Sequence, residues 1–183
     1  MTIKRLTAII LSAIMLVSFF GCTAKSEIEE ETTATETTAA RPEKMPDFKV
    51  YTMDGREITL YESFGKPLVL NFWATWCPPC KAEMPHFDEL YKEYGDRVNF
   101  MMVNMTDGQR DTVAAVKSFI EDNGYSFPVY CDSDLSAAYA YGVSSIPLTL
   151  FFDAKGNLLN YKSGTMSKIE LEGMLLRMTG ERK

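Results

Sequence analysis

Two cysteines three residues apart, in Cys77-Pro78-Pro79-Cys80, are the residues of this chain best suited to chemistry. They follow an apolar, strand-forming run, Leu68 to Trp73, that ends at Ala74 and Thr75, and they open a stretch of helix formers. Strand, active turn and helix are therefore expected in succession. On such a turn Cys77 falls just before the helix and Pro78 at its first position, where a missing N–H costs nothing. The free N–H groups and partial positive charge of a helix N-terminus favour a thiolate, and cysteines of this spacing have pKa values of roughly 3.5 to 7.5. Cys77 is read as the nucleophile. Cys80, one turn deeper, is read as the thiol that displaces the resulting mixed disulfide and leaves a Cys77–Cys80 disulfide.

The same spacing can be half of a zinc site. Zinc would need two more ligands, and beyond the pair the chain offers Cys22, Cys131 and one histidine, His86, with no second pair at ligand spacing. No metal and no cofactor is expected. His86, alone on a helical stretch, reads as a surface or packing residue, since the cysteines already supply a nucleophile.

Phe72-Trp73-Ala74-Thr75-Trp76-Cys77-Pro78-Pro79-Cys80, followed by Lys81-Ala82-Glu83-Met84-Pro85, resembles the active-site signature of the TlpA/ResA-like branch of the thioredoxin superfamily. The likeness runs from Met45-Pro46-Asp47-Phe48 to the helix after Gly164-Thr165-Met166. It implies a thioredoxin-like α/β fold: a mixed sheet with helices on both faces, an N-terminal hairpin and a central βαβ insertion between Asn104 and Asp132. By the same resemblance Ile146-Pro147 matches the cis-proline that lies against the cysteines and offers backbone groups to a substrate chain. Trp76, just before the nucleophile, reads as part of an apolar docking surface, with Pro78 and Pro79 beside it. Leu148 stands where threonine is common in the family.

Thioredoxin keeps a buried aspartate on the strand beneath the cysteines; this sequence has Asn71 there, which cannot take the proton that Cys80 must lose. Glu83 lies three residues after Cys80, on nearly the same helix face. Asp107 follows the next strand, where ResA-like relatives carry an acidic residue. Glu83, assisted by Asp107, is expected to do this work, with a carboxyl pKa raised by partial burial.

The resemblance implies a membrane-tethered, extracytoplasmic thiol-disulfide oxidoreductase. It would act as a protein-disulfide reductase on exported proteins, apocytochrome c among them, with electrons from a membrane thiol carrier of the CcdA/DsbD type. The two prolines between the cysteines do not fix the direction of electron flow, so an oxidant that introduces disulfides stays open. So does a non-catalytic thiol chaperone or metal carrier on the same fold. Only moderate thiolate stabilisation is expected, since Lys81 is the one cation the sequence places near the pair, and that favours the reductant.

The elements that must position this site occupy most of the 183 residues, enough for one domain with a leader and a linker. Lys4 and Arg5 precede an apolar run, Leu6 to Phe20, of signal-peptide length. The run ends in Phe19-Phe20-Gly21-Cys22, which resembles a bacterial lipoprotein box except that Phe19 stands where leucine is usual. Residues 1–21 are expected to be a signal peptide. Residues 22–44 are expected to be a lipidated Cys22 with a disordered acidic and threonine-rich tether, and residues 45–183 the thioredoxin-like domain. The anchor would hold the domain at the outer face of the cytoplasmic membrane. Loss of residues 1–21 takes the formal charge from −6 to −8, which argues against nucleic acid or an anionic membrane surface as an electrostatic partner. A monomer is expected.

Within the domain, Lys49–Tyr51 and Glu57–Leu60 read as a hairpin, and Val98–Asn104 and Phe127–Tyr130 as buried strands flanking a helix capped by Asp111. Asp134 is expected to cap a short helix. Leu148–Phe152 and Leu158–Lys162 read as an antiparallel pair, and Ser167-Lys168-Ile169-Glu170 as a capping box for the last helix. The eleven methionines read as core filler. Cys131, at the end of its strand, is two interstrand spacings from the active turn, about 10 Å, and is expected to be a free buried thiol.

Overall fold

The computed structural model describes residues 45–181, so the expected signal peptide, the expected lipidation at Cys22 and the expected tether lie outside the described residues. Among the described residues there are seven strands: β1 (Lys49–Thr52), β2 (Glu57–Thr59), β3 (Leu68–Trp73), β4 (Asn99–Asn104), β5 (Val129–Cys131), β6 (Leu148–Phe152) and β7 (Leu158–Ser163). The same residues form four α-helices: α1 (Pro78–Tyr94), α2 (Val113–Asn123), α3 (Ser136–Ala140) and α4 (Lys168–Thr179). The strands form one mixed sheet in the order β2-β1-β5-β4-β3-β6-β7. β3, β4 and β5 run parallel at its centre, and β1 and β6 flank them antiparallel. This is the thioredoxin-like architecture expected from the sequence, with the N-terminal hairpin and the β4-α2-β5 insertion in place.

β3 is the strand on which the site depends. All six of its residues are buried, because β4 and β6 take its hydrogen bonds on either side and side chains cover both faces. The twofold alternation of a strand sorts them. Val69 and Trp73 pack with Met84, Phe87 and Leu90 of α1, Val116 and Ile120 of α2, and Leu171 and Leu175 of α4. Leu68, Leu70 and Phe72 pack on the other face with Phe48, Leu60 and Ala137 of α3. Each such large apolar side chain contributes roughly 1.5–3 kcal/mol by leaving water. Asn71 falls between Val69 and Trp73 on the α1 face, fully buried, and a polar group placed there must find partners. Met84, Met101, Met102, Met166 and Met174 are likewise buried, as gap-filling methionines should be.

Two helix caps differ from expectation. α2 is capped by Thr112, whose hydroxyl accepts from the Ala115 amide at 3.2 Å, because Asp111 is drawn away to the active turn. α3 begins after Leu135, which sits in the left-handed region with φ 59° and gives no side-chain cap. Asp134 accepts from the Ser136 amide, while buried Asp132 takes the Ala137 and Ala138 amides. The last helix is as expected: Ser167 and Glu170 form a reciprocal capping box, and Gly180 ends the helix at φ 74°.

Candidate active site

Cys77 is the N-cap of α1, in extended backbone, and Pro78 and Pro79 follow it as the first two helical residues. Neither proline carries an N–H, so the first amide free to turn toward the cap is that of Cys80. It donates to Cys77 Sγ at 3.2 Å, while the Lys81 amide is used by the Cys77 carbonyl at 3.1 Å. The two cysteines are joined as a disulfide with their Cα atoms 5.3 Å apart. Cys77 keeps 3% of its surface accessible and Cys80 none, so the outer sulfur is Cys77.

The Ile146–Pro147 bond is cis, and the Ile146 carbonyl lies 3.8 Å from Cys77 Sγ. Ile146 is half-buried and Pro147 buried, at the entrance to β6. Gly164, at φ 88°, donates its amide to the Pro147 carbonyl at 2.9 Å. The Gly164-Thr165-Met166 loop is thereby tied to the same place.

Beneath the cysteines, Glu83 is 1% exposed. Its Oε1 accepts from Asn71 Nδ2 at 3.1 Å and its Oε2 from the Met166 amide at 2.9 Å. Burial raises its pKa to about 7, against the two hydrogen bonds, which pull the other way. A carboxyl that exchanges its proton near neutrality thus sits one turn after Cys80 on α1.

Asp107 does not share that environment. Its Oδ1 accepts from the amides of Gln109, Arg110 and Asp111, and its Oδ2 from Arg110 Nε at 2.8 Å. The Asp111 and Gln109 amides and the Arg110 side chain hold its carboxyl well below the usual range, which leaves it ionised and unable to take up a proton near neutrality. Asp107 folds the loop after β4, and among the described residues its carboxylate bonds to Gln109, Arg110 and Asp111 rather than to Glu83 or either cysteine.

That loop delivers to the site Arg110, which the sequence did not point to, and Asp111, which it pointed to only as a helix cap. Arg110 lies over the Trp76 ring, 3.8 Å from its centroid, so Lys81 is not the one cation near the site. Buried Asp111 accepts from the Thr75 amide at 2.8 Å, from the Thr75 hydroxyl and from Asn104 Nδ2 at 2.8 Å. It thereby fixes the residue two before Cys77. Arg110 is 34 positions from Trp76, and no local pattern announces such a contact. Trp76, Pro78 and Pro79 are exposed around the disulfide, as a docking surface requires.

Cys131 is a buried free cysteine on β5, with β4 standing between it and β3 as expected. Burial raises its thiol pKa, and it lies opposite Asn104 in the register.

Residues 42–160 match the model of the AhpC/TSA family. The chain is 38% identical over 133 residues to the thioredoxin-like protein YneN of Bacillus subtilis, spanning 73% of this chain and 77% of that one. This chain is a thioredoxin-like thiol-disulfide oxidoreductase of the AhpC/TSA family. To the thiol-disulfide oxidoreductase ResA of Geobacillus thermodenitrificans it is 33% identical over 170 residues, 92% of this chain and 93% of the relative. Among solved structures it resembles the pneumococcal exposed lipoprotein thioredoxin Etrx1 of Streptococcus pneumoniae. That likeness has 31% identity and a TM-score of 0.63, and covers 72% of this chain and 99% of Etrx1. The ResA-like oxidoreductase thus carries its redox pair at Cys77 and Cys80.

Proposed function

We propose that this ResA-like protein is a membrane-tethered reductant of disulfides in exported proteins. The observation that carries the reading is the pair at the start of α1 with an ionisable carboxyl walled in beneath it. In the reduced protein the Cys77 thiolate attacks a substrate disulfide, forming a mixed disulfide and releasing one substrate thiolate. Cys80 passes its proton to Glu83 and attacks Cys77 Sγ; the intramolecular disulfide closes and the second substrate thiolate leaves. Two electrons move from the protein dithiol to the substrate disulfide. A membrane thiol carrier of the CcdA/DsbD type returns them, and apocytochrome c is a substrate of suitable chemistry.

The direction rests on how little the helix end gives the thiolate. With proline at both of the first two helical positions, one amide, that of Cys80, remains to donate to Cys77 Sγ. Arg110 is paired with Asp107. Weak thiolate stabilisation keeps the dithiol reducing, near thioredoxin at about −270 mV, and far from a strong oxidant at about −120 mV. Trp76 and the Ile146–Pro147 backbone form the surface on which the substrate chain lies.

Cys80→Ser should accumulate a covalent adduct with a protein disulfide substrate, and Cys77→Ser should not. Equal trapping by both variants, or a potential near that of the strong oxidant, would reject the reading. Lipid anchoring through Cys22 belongs to the same proposal and is supported by the likeness to an exposed lipoprotein thioredoxin. Stable anchoring takes more than one acyl chain. Cys22→Ser should move the protein from the membrane to the soluble fraction; a variant that stays membrane-bound would remove the tether from the proposal.

A further inference from the structure

The surroundings of Asn71 are unusual for a residue at the centre of a sheet. Asn71, Thr149 and Glu83 are all buried, and Asn71 Nδ2 is shared between Glu83 Oε1 at 3.1 Å and Thr149 Oγ1 at 3.0 Å. Asn71 and Thr149 face one another in the β3–β6 register, two residues beyond Pro147. Asn71 Oδ1 is buried with no hydrogen-bond partner among the described residues. A buried amide with both donors used and its acceptor empty is held by what it donates to. An ionised carboxylate has no proton to give, so it must be met by the amide's N–H end.

We propose that Asn71 and Thr149 are positioning residues that keep Glu83 hydrogen-bonded in both of its protonation states. The amide presents N–H to the carboxylate and, turned over, its oxygen to the carboxylic acid. In the turned position Oδ1 replaces Nδ2 at the same two contacts, accepting from the Glu83 hydroxyl and from Thr149. Both N–H groups then move to the partnerless side, a cost that is the same with or without the Thr149 hydroxyl. The threonine hydroxyl serves either arrangement by rotating, because it can accept or donate. An aspartate at position 71 would instead place a second carboxylate about 3 Å from the first, and the two could not both ionise. The choice of asparagine lets Glu83 load and unload one proton without a coupled partner.

This inference rests on Glu83 being the acceptor of the Cys80 proton. Glu83 is met from β3 by Asn71, from β6 through Asn71 by Thr149, from the loop before α4 by the Met166 amide, and on its own helix by Cys80 one turn earlier. None of these is charged while the disulfide is closed. Other titratable groups on the packed elements include Lys81, His86 and Asp88 along α1, Asp88 being paired with Lys92, and the exposed ion pair of Lys168 with Glu89 that joins α4 to α1.

Removing the Thr149 hydroxyl orphans an amide N–H in the ionised arrangement but only halves the contacts of Oδ1 in the protonated one. Thr149→Val should therefore disfavour the carboxylate. The rate at which the mixed disulfide closes, followed by rapid quench against pH, should keep its high-pH plateau in Thr149→Val. Its midpoint should rise by about one pH unit, a roughly tenfold loss of rate below the midpoint. Thr149→Ser, which keeps the hydroxyl, should restore the wild-type profile, and Asn71→Leu should shift it at least as far as Thr149→Val. A uniform fall of rate at every pH, or coincident profiles for the Val and Ser variants, overturns the inference. The Glu83→Gln profile separates the two levels. If that variant keeps the wild-type pH dependence, the Glu83 assignment itself fails; if it loses it while Thr149→Val matches Thr149→Ser, only the Asn71–Thr149 role fails.

Discussion

Glu83 is a case in which one side chain's energetics can be followed from folding to chemistry. Its folded pKa of about 7 exceeds the ordinary 4.5, so the native state holds this proton more tightly than the unfolded chain does. The stabilisation is complete below the unfolded value and is lost as pH rises through about 7, and it amounts to something on the order of 3 kcal/mol. In denaturant titrations of the oxidised protein, the wild type should lose about that much stability between roughly pH 4.5 and 8, and Glu83→Gln should lose much less. Parallel stability curves for the two proteins would mean the carboxyl is not the titrating group. Raised-pKa Asp132 adds a slope of the same sign to both proteins, which the difference removes. The position of Glu83 was legible in the sequence, because three residues along a helix is nearly one turn. Its two fixed donors were not: Asn71 is twelve residues away and Met166 eighty-three.

Among the elements, the loop between β4 and α2 carries more of the site than its sequence suggested. Asp111 and Thr112 are both competent helix caps, and a local rule cannot choose between them; the Thr75 amide across the sheet edge decides by claiming Asp111. The same limit explains Asp134, whose place as helix anchor is taken by Asp132. Ser167 and Glu170 were legible because that cap is closed by neighbours in sequence. Asp111→Ala would strand the Thr75 amide and the Asn104 amide group in the interior. It should destabilise the protein by about 2–4 kcal/mol and lower disulfide reductase activity at temperatures where the variant is still folded. A loss below about 0.5 kcal/mol in chemical denaturation would show that the three contacts to Asp111 are not holding the active turn.

For the molecule as a whole, the strand order separates two kinds of thiol. β4 stands between the strand that carries Cys131 and the strand that leads to Cys77, and burial raises the Cys131 pKa. In the reduced protein, a thiol-specific reagent should label Cys77 rapidly in the native state and Cys131 only on unfolding. Rapid native-state labelling of Cys131 would contradict its buried placement. The mixed sheet, and the strand standing between that of Cys131 and that of the active turn, were readable, since alternating strand and helix patterns with right-handed crossovers leave few arrangements. Arg110 over Trp76 was not, because it depends on how a loop folds once the sheet is already formed.

The hydrogen bond from the Met166 backbone to Glu83 has a use beyond catalysis. Its nitrogen belongs to the loop immediately before the Ser167 cap of α4, on the far side of the chain from the cysteines in sequence. The resonance of that one isotope-labelled amide must move whenever the carboxyl gains or loses its proton. The protein therefore carries a built-in spectroscopic indicator of its own working state, readable without altering or tagging any residue that takes part in the reaction.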